Sequence, residues 1–100
     1  YDYKGHVLSK VILKGFILVP DADLPAVREE LRNHIYLTLQ EEGCLVFEVS
    51  EDEKNINRFN VYEEFSDSRS FELHQERVRN SNWAKVSKNV ERNYQSELVK

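Results

Sequence analysis

Two histidines carry most of the chemistry this 100-residue chain could perform. His34 stands three residues after Leu31, seven after Val27 and four before Thr38, which places it on the apolar stripe of a helix. His74 sits the same way between Phe71 and Val78. Carried inward on two helices over one sheet, such imidazoles could meet across a cavity, where a group titrating near neutrality acts as proton acceptor. The alternative is a pair of core histidines, each satisfied by a backbone carbonyl. Arg58, Asn60, Tyr62 and Glu64 alternate along one strand face and line either a pocket or a hydrogen-bonded seam in a dimer interface. Trp83 reads as pocket wall or core. Cys44, at a strand start, reads as a small buried residue rather than a nucleophile. Three histidines without ligand-like spacing predict no metal site.

Positioning those residues requires a sheet and helices, and the hydropathy pattern supplies them. Residues 10–19 (KVILKGFILV) are apolar on both alternating sets, as in a strand covered on both faces. Asp23 is a plausible N-cap before Leu24-Pro25, and Leu24, Val27, Leu31, Ile35 and Thr38/Leu39 recur at helical spacing up to a stop at Gly43. Residues 44–50 predict a second strand, and the polar stretch 51–55 a hairpin loop. A third strand follows over 56–65, with Phe59, Val61 and Phe65 opposite the polar row. Ser66-Asp67-Ser68 caps a second helix, and a short third one carries Trp83, Val86 and Val90. Residues 89–99 finish as a strand with Val90, Tyr94 and Leu98 facing inward, although a helical continuation also fits. The order β-α-β-β-α-β predicts an α+β, ferredoxin-like domain, with a core over 10–99 and an N-terminal extension over 1–9. Its helices cover one sheet face. The other face is partly apolar, no spare segment remains to cover it, and a homodimer is expected.

Composition narrows the function classes. With 14 basic and 18 acidic side chains the net charge is −4, and no basic run offers a nucleic-acid or lipid footprint. The third strand, with two carboxylates and no glycine, is unlike an RNA-binding platform of this topology. One cysteine excludes an intrachain disulfide. The longest apolar runs, 11–13 and 16–19, are far short of the roughly 20 residues that span a bilayer. No secretory leader is legible, and a cytoplasmic location is expected.

Several segments resemble the antibiotic biosynthesis monooxygenase superfamily. They are Asn33-His34, Gln40-Glu41-Glu42-Gly43-Cys44-Leu45-x-Phe47, Arg58-Phe59-x-x-Tyr62-Glu63-x-Phe65 and Phe71-x-x-His74. The likeness runs from about Val11 to about Val90 and implies a dimeric α/β barrel built from ferredoxin-like subunits. Two branches compete. Small quinol monooxygenases share Glu41-Glu42-Gly43-Cys44 and His74, and the resemblance implies oxidation of electron-rich aromatics by dioxygen without flavin, haem or metal. The isomerase of a phosphorylated autoinducer shares Asn33-His34, Gln40 to Gly43, Arg58-Phe59 and Tyr62-Glu63. The chain departs from both over 76–83, where relatives usually carry a Thr/Ser-Pro-His turn. Haem-degrading relatives usually have Trp at the place of Phe65 and a histidine on the third helix, which makes haem unexpected here.

Both leading branches begin with a base removing a proton to give an enolate-like anion held by hydrogen-bond donors. On this basis His34 or His74 is the expected base, and Asn60 and Tyr62 the donors to the oxyanion. Trp83 and Phe71 are expected to wall the substrate ring. Arg58 is a candidate anion contact with Arg69, Arg77 and Arg79, and Glu64 either orients a histidine or is a solvated or interface carboxylate. No cofactor is expected. The expected partners are a small molecule, dioxygen and a second copy of the chain. A ligand-binding dimer without catalysis is the remaining alternative.

Overall fold

A computed structural model describes residues 9–100; the expected extension over 1–9 lies, apart from Ser9, outside the described residues. The chain runs β1 (Lys10–Leu18), α1 (Leu24–Leu39), β2 (Cys44–Glu51), β3 (Arg58–Phe65), α2 (Ser68–Arg79), α3 (Asn82–Val86) and β4 (Glu91–Val99). All pairings are antiparallel, in the order β2-β3-β1-β4. That is the ferredoxin-like α+β arrangement the hydropathy pattern predicts. No described helix is long and apolar enough to cross a membrane.

Local chemistry explains the boundaries. Leu24, Val27, Leu31, His34 and Thr38 are the buried stripe of α1, and Pro25 sits in its first turn. Asp23 occupies the N-cap position, but its side chain caps no helix amide. Asp67 does cap α2, its carboxylate accepting from the Ser70 amide at 2.7 Å. After α1 the chain reverses through Gly43 at φ 90°, a conformation costly for any residue with a side chain. A Cβ there would also collide with Ser70 of α2. This tight approach brings the end of α1 beside α2.

Strand alternation sorts the sheet into two faces. Val11, Leu13 and Ile17 of β1 and Phe59, Val61, Glu63 and Phe65 of β3 turn toward the helices and are buried. Leu13, Ile17, Phe59 and Val61 form a core with Val27, Leu31 and Trp83. Arg58, Asn60, Tyr62 and Glu64 occupy the opposite face, level with Leu18, Phe16, Lys14 and Ile12 of β1. Two boundaries differ from expectation. Ile56 is an exposed loop residue rather than part of β3, and Val90 is buried in the turn before β4 instead of on α3. Tyr94 and Leu98 do lie on the helix face, paired with Gly15 and Val11. They remain 40% and 62% exposed because α2 packs over β1 and β3 and stops short of β4.

Candidate active site

Between α1, α2, α3 and the sheet lies a hollow of about 350 Å³ bordered by His34, His74, Glu63, Phe71, Trp83 and Tyr94, among others. The two imidazoles do share it. Their ring centroids are 6.1 Å apart. His34, His74 and Glu63 are each only 6% exposed, so their electrostatics are those of a largely dry interior.

His74 is held from both sides. Its Nδ1 lies 3.0 and 3.1 Å from the two carboxylate oxygens of Glu41, two residues beyond the end of α1. A carboxylate facing a ring nitrogen at that distance needs a proton between them, so Nδ1 is the donor. Nε2 then carries the lone pair and faces Glu63, whose Oε1 is 3.8 Å away. Glu41 is itself fixed by the Arg77 guanidinium, which also donates to Thr38 Oγ1 at 3.0 Å. Burial lowers the His74 pKa from its usual value; Glu41 pulls it back up, and Arg77 pushes it down again. The product is an oriented, neutral imidazole with a free lone pair in the hollow, which is the required state of a general base.

Glu63 is the acid that alternation along β3 carries inward among phenylalanines and valine. Desolvation, with a smaller push from Glu41, raises its pKa to about 7. His34 stacks face to face on Trp83 at 4.7 Å and meets Phe47 edge-on at 5.3 Å. Desolvation first, then His74, Arg77 and Arg92, lowers its pKa to about 3. Burial pushes the Tyr94 phenol up to about 12, while the residue as a whole is 40% exposed.

Of the residues expected at the site, His34, His74, Phe71 and Trp83 border one hollow. Arg58, Asn60, Tyr62 and Glu64 do not, because they point from β3 to the far side of the sheet. There they bond among themselves and their neighbours. Tyr62 donates to Glu64, which pairs with Lys10 at 2.8 Å, while Arg58 donates to Asn60 and lies over the Phe16 ring at 3.8 Å. Asn60 and Tyr62 therefore cannot be the donors to an oxyanion beside the histidines, and the expectation is corrected on that point. Of the arginines considered for an anion, Arg79 borders the hollow, Arg69 pairs with Glu72 on the surface, and Arg77 is bound to Glu41. Glu41 and Glu63 are the functional candidates sequence reasoning left out. Among the described residues no group of three or more His, Cys, Asp or Glu is placed to hold a metal ion.

The orienting role of Glu41 gives a first prediction. Glu41→Gln removes the charge that holds the Nδ1 proton, and kcat should fall by about tenfold or more with little change in KM. Glu41 raises the His74 pKa, so the midpoint of the kcat–pH profile should also move to lower pH. A profile that stays in place would assign Glu41 a merely structural role.

Comparison with known proteins adds the following. The family model for antibiotic biosynthesis monooxygenase matches residues 11–85. A protein from Nitrosomonas europaea, whose own assignment as an antibiotic biosynthesis monooxygenase is provisional, superposes with a TM-score of 0.74 at 16% identity, over 93% of this chain and 89% of that one. A Bacteroides thetaiotaomicron protein of unknown function, suggested to be an oxidoreductase, gives 0.73 at 17% identity, over 92% and 99%. A Deinococcus radiodurans protein with the same provisional monooxygenase assignment gives 0.67 at 21%, over 90% of each. At these identities the likeness is one of fold. No curated protein matches the sequence.

Proposed function

The chain belongs to the antibiotic biosynthesis monooxygenase family, and from that premise we propose that it is a cofactor-independent monooxygenase acting on a small quinol or polyketide-like aromatic. The observation that carries the reading is the Glu41–His74 pair, which aims a basic nitrogen into a hollow walled by Phe71 and Trp83. His74 Nε2 takes the acidic proton of the bound substrate, leaving an electron-rich anion. The anion passes one electron to dioxygen, and substrate radical and superoxide combine in a carbon–oxygen bond. Cleavage of the O–O bond with loss of the carbon-bound proton then leaves a carbonyl and water. All four electrons for reduction of dioxygen come from the substrate, so no external reductant is needed.

Dioxygen uptake with a panel of dihydroxynaphthalenes tests this. Uptake matched by quinone formation supports the reading. Turnover of a phosphorylated dicarbonyl without uptake would replace it with the isomerase alternative, for which Arg79 and Arg92 border the hollow as anion contacts. Ligand binding with no turnover would leave a non-catalytic module.

The same reading includes a homodimer. The sheet face away from the helices carries Ile12, Phe16, Leu18 and Tyr62, each half-buried, within a rim of charge. A second copy laid on that face covers this apolar centre and leaves both hollows on the outside. Sedimentation equilibrium is expected to give twice the 11.9 kDa chain mass, and Phe16→Asp to give the single mass. A wild-type monomer at micromolar concentration would contradict the assembly.

A further inference from the structure

We propose that His34 is the hydrogen-bond donor that holds the substrate's developing oxyanion, as a neutral imidazole with its proton on Nε2. Its Nδ1 is the one fully buried side-chain nitrogen or oxygen without a partner among the described residues. A ring nitrogen in that position holds either an unmatched N–H or an unused lone pair. Buried donors without acceptors are the rarer defect, so the lone pair belongs on Nδ1 and the proton on Nε2. Nε2 is the ring nitrogen farther from the α1 backbone, and the His34 ring, its Nδ1 shielded, borders the hollow it shares with His74. The Trp83 ring stacked at 6° to the imidazole fixes the orientation.

His34 and His74 are therefore tautomers of opposite sense in one hollow. His74 keeps its proton on Nδ1 for Glu41 and offers a lone pair; His34 offers an N–H. With the rings 6.1 Å apart, one substrate oxygen can lie within reach of both, giving its proton to the first and accepting a bond from the second. The surrounding charge fits that division. Burial above all, with the Arg77 and Arg92 guanidiniums adding to it, disfavours a proton on His34 and keeps it neutral with a pKa of about 3. The two guanidiniums favour an anion placed beside it. The role fills the position left open by Asn60 and Tyr62, which lie beyond the sheet.

The oxyanion role rests on the proposed proton abstraction, whereas the tautomer can be read without substrate. Long-range proton–nitrogen NMR on protein labelled with ¹⁵N-histidine, with His34→Gln used for assignment, is expected to show Nε2–H on His34 and Nδ1–H on His74. A proton on His34 Nδ1, or a doubly protonated ring at neutral pH, would overturn the assignment. The second measurement uses 4-nitrophenol at about pH 8, where the probe is ionised. His34→Leu is expected to weaken its binding by about tenfold or more, and His34→Gln, which keeps an N–H near the Nε2 position, by no more than about threefold. Binding of 4-nitroanisole, which has no anionic oxygen, should be unchanged in both. A His34→Leu variant that binds 4-nitrophenolate as tightly as wild type would refute the donor role. Should dihydroxynaphthalenes cause no dioxygen uptake while these NMR and binding results hold, the monooxygenase reading fails and the His34 assignment stands.

Discussion

Replacing His74 with Gln is expected to lower kcat by about 10²- to 10⁴-fold, the usual contribution of a positioned general base. Glutamine occupies a similar volume, so the helix packing should survive and the loss should fall on the chemical step. KM should change little. The pH dependence carries the same information with a definite sign. A base works only when unprotonated, and burial holds the His74 pKa below the ordinary histidine value. Activity should therefore persist into mildly acidic solution and fall only as pH drops through that lowered pKa. The variant should have lost this limb. A kcat for His74→Gln within threefold of wild type (roughly the margin attributable to packing alone) would remove His74 from the mechanism.

The second large effect concerns stability. The carboxyl of Glu63 titrates at about 7 in the folded protein against 4.5 in the reference state. The folded chain thus holds this proton more tightly than the unfolded one, and the native state is favoured at low pH. The contribution is complete below about 4.5 and lost as pH rises through about 7. Glu63→Gln, which cannot ionise, should be more stable than wild type at about pH 8 by about 3 kcal/mol, the order implied by such a shift. Urea unfolding across pH reads this directly. His34 acts in the opposite sense. Its folded pKa of about 3 lies below the reference 6.5, so its contribution is complete above 6.5 and lost as pH falls toward 3. Between about 4.5 and 6.5 the two slopes oppose each other in the wild type. Glu63→Gln should then expose the His34 slope, with stability rising with pH. A variant as sensitive to alkaline pH as wild type would show that Glu63 does not carry the effect.

Much of the fold was legible because each element has a local cause. The double-sided apolar run of β1, the stripe from Leu24 to Thr38 and the Asp67 cap each act within a few residues. The inward placement of His34 and His74 followed from the same periodicity. Alternation also separated Phe59, Val61 and Phe65 from Arg58, Asn60, Tyr62 and Glu64 correctly. What it could not supply was which face borders the hollow, since a polar row suits a pocket and a sheet–sheet interface equally well. The signal for Glu63 was present: it is the single acid in phase with the buried residues of β3. Glu41 had no such local signal. Its contact with His74 joins residues 33 apart and depends on the Gly43 reversal that brings α1 and α2 together. The exposure of Tyr94 and Leu98 likewise depends on how far α2 reaches, a tertiary fact with no periodic trace in β4.

Anaerobic stopped-flow absorbance with a dihydroxynaphthalene separates proton removal from everything that follows. With dioxygen absent, mixing with wild-type protein at neutral pH is predicted to produce the absorbance band of the bound naphtholate, and His74→Gln is predicted to bind the same compound as the neutral naphthol. A naphtholate band of equal size and rate in both proteins would contradict the assignment of His74 as the base.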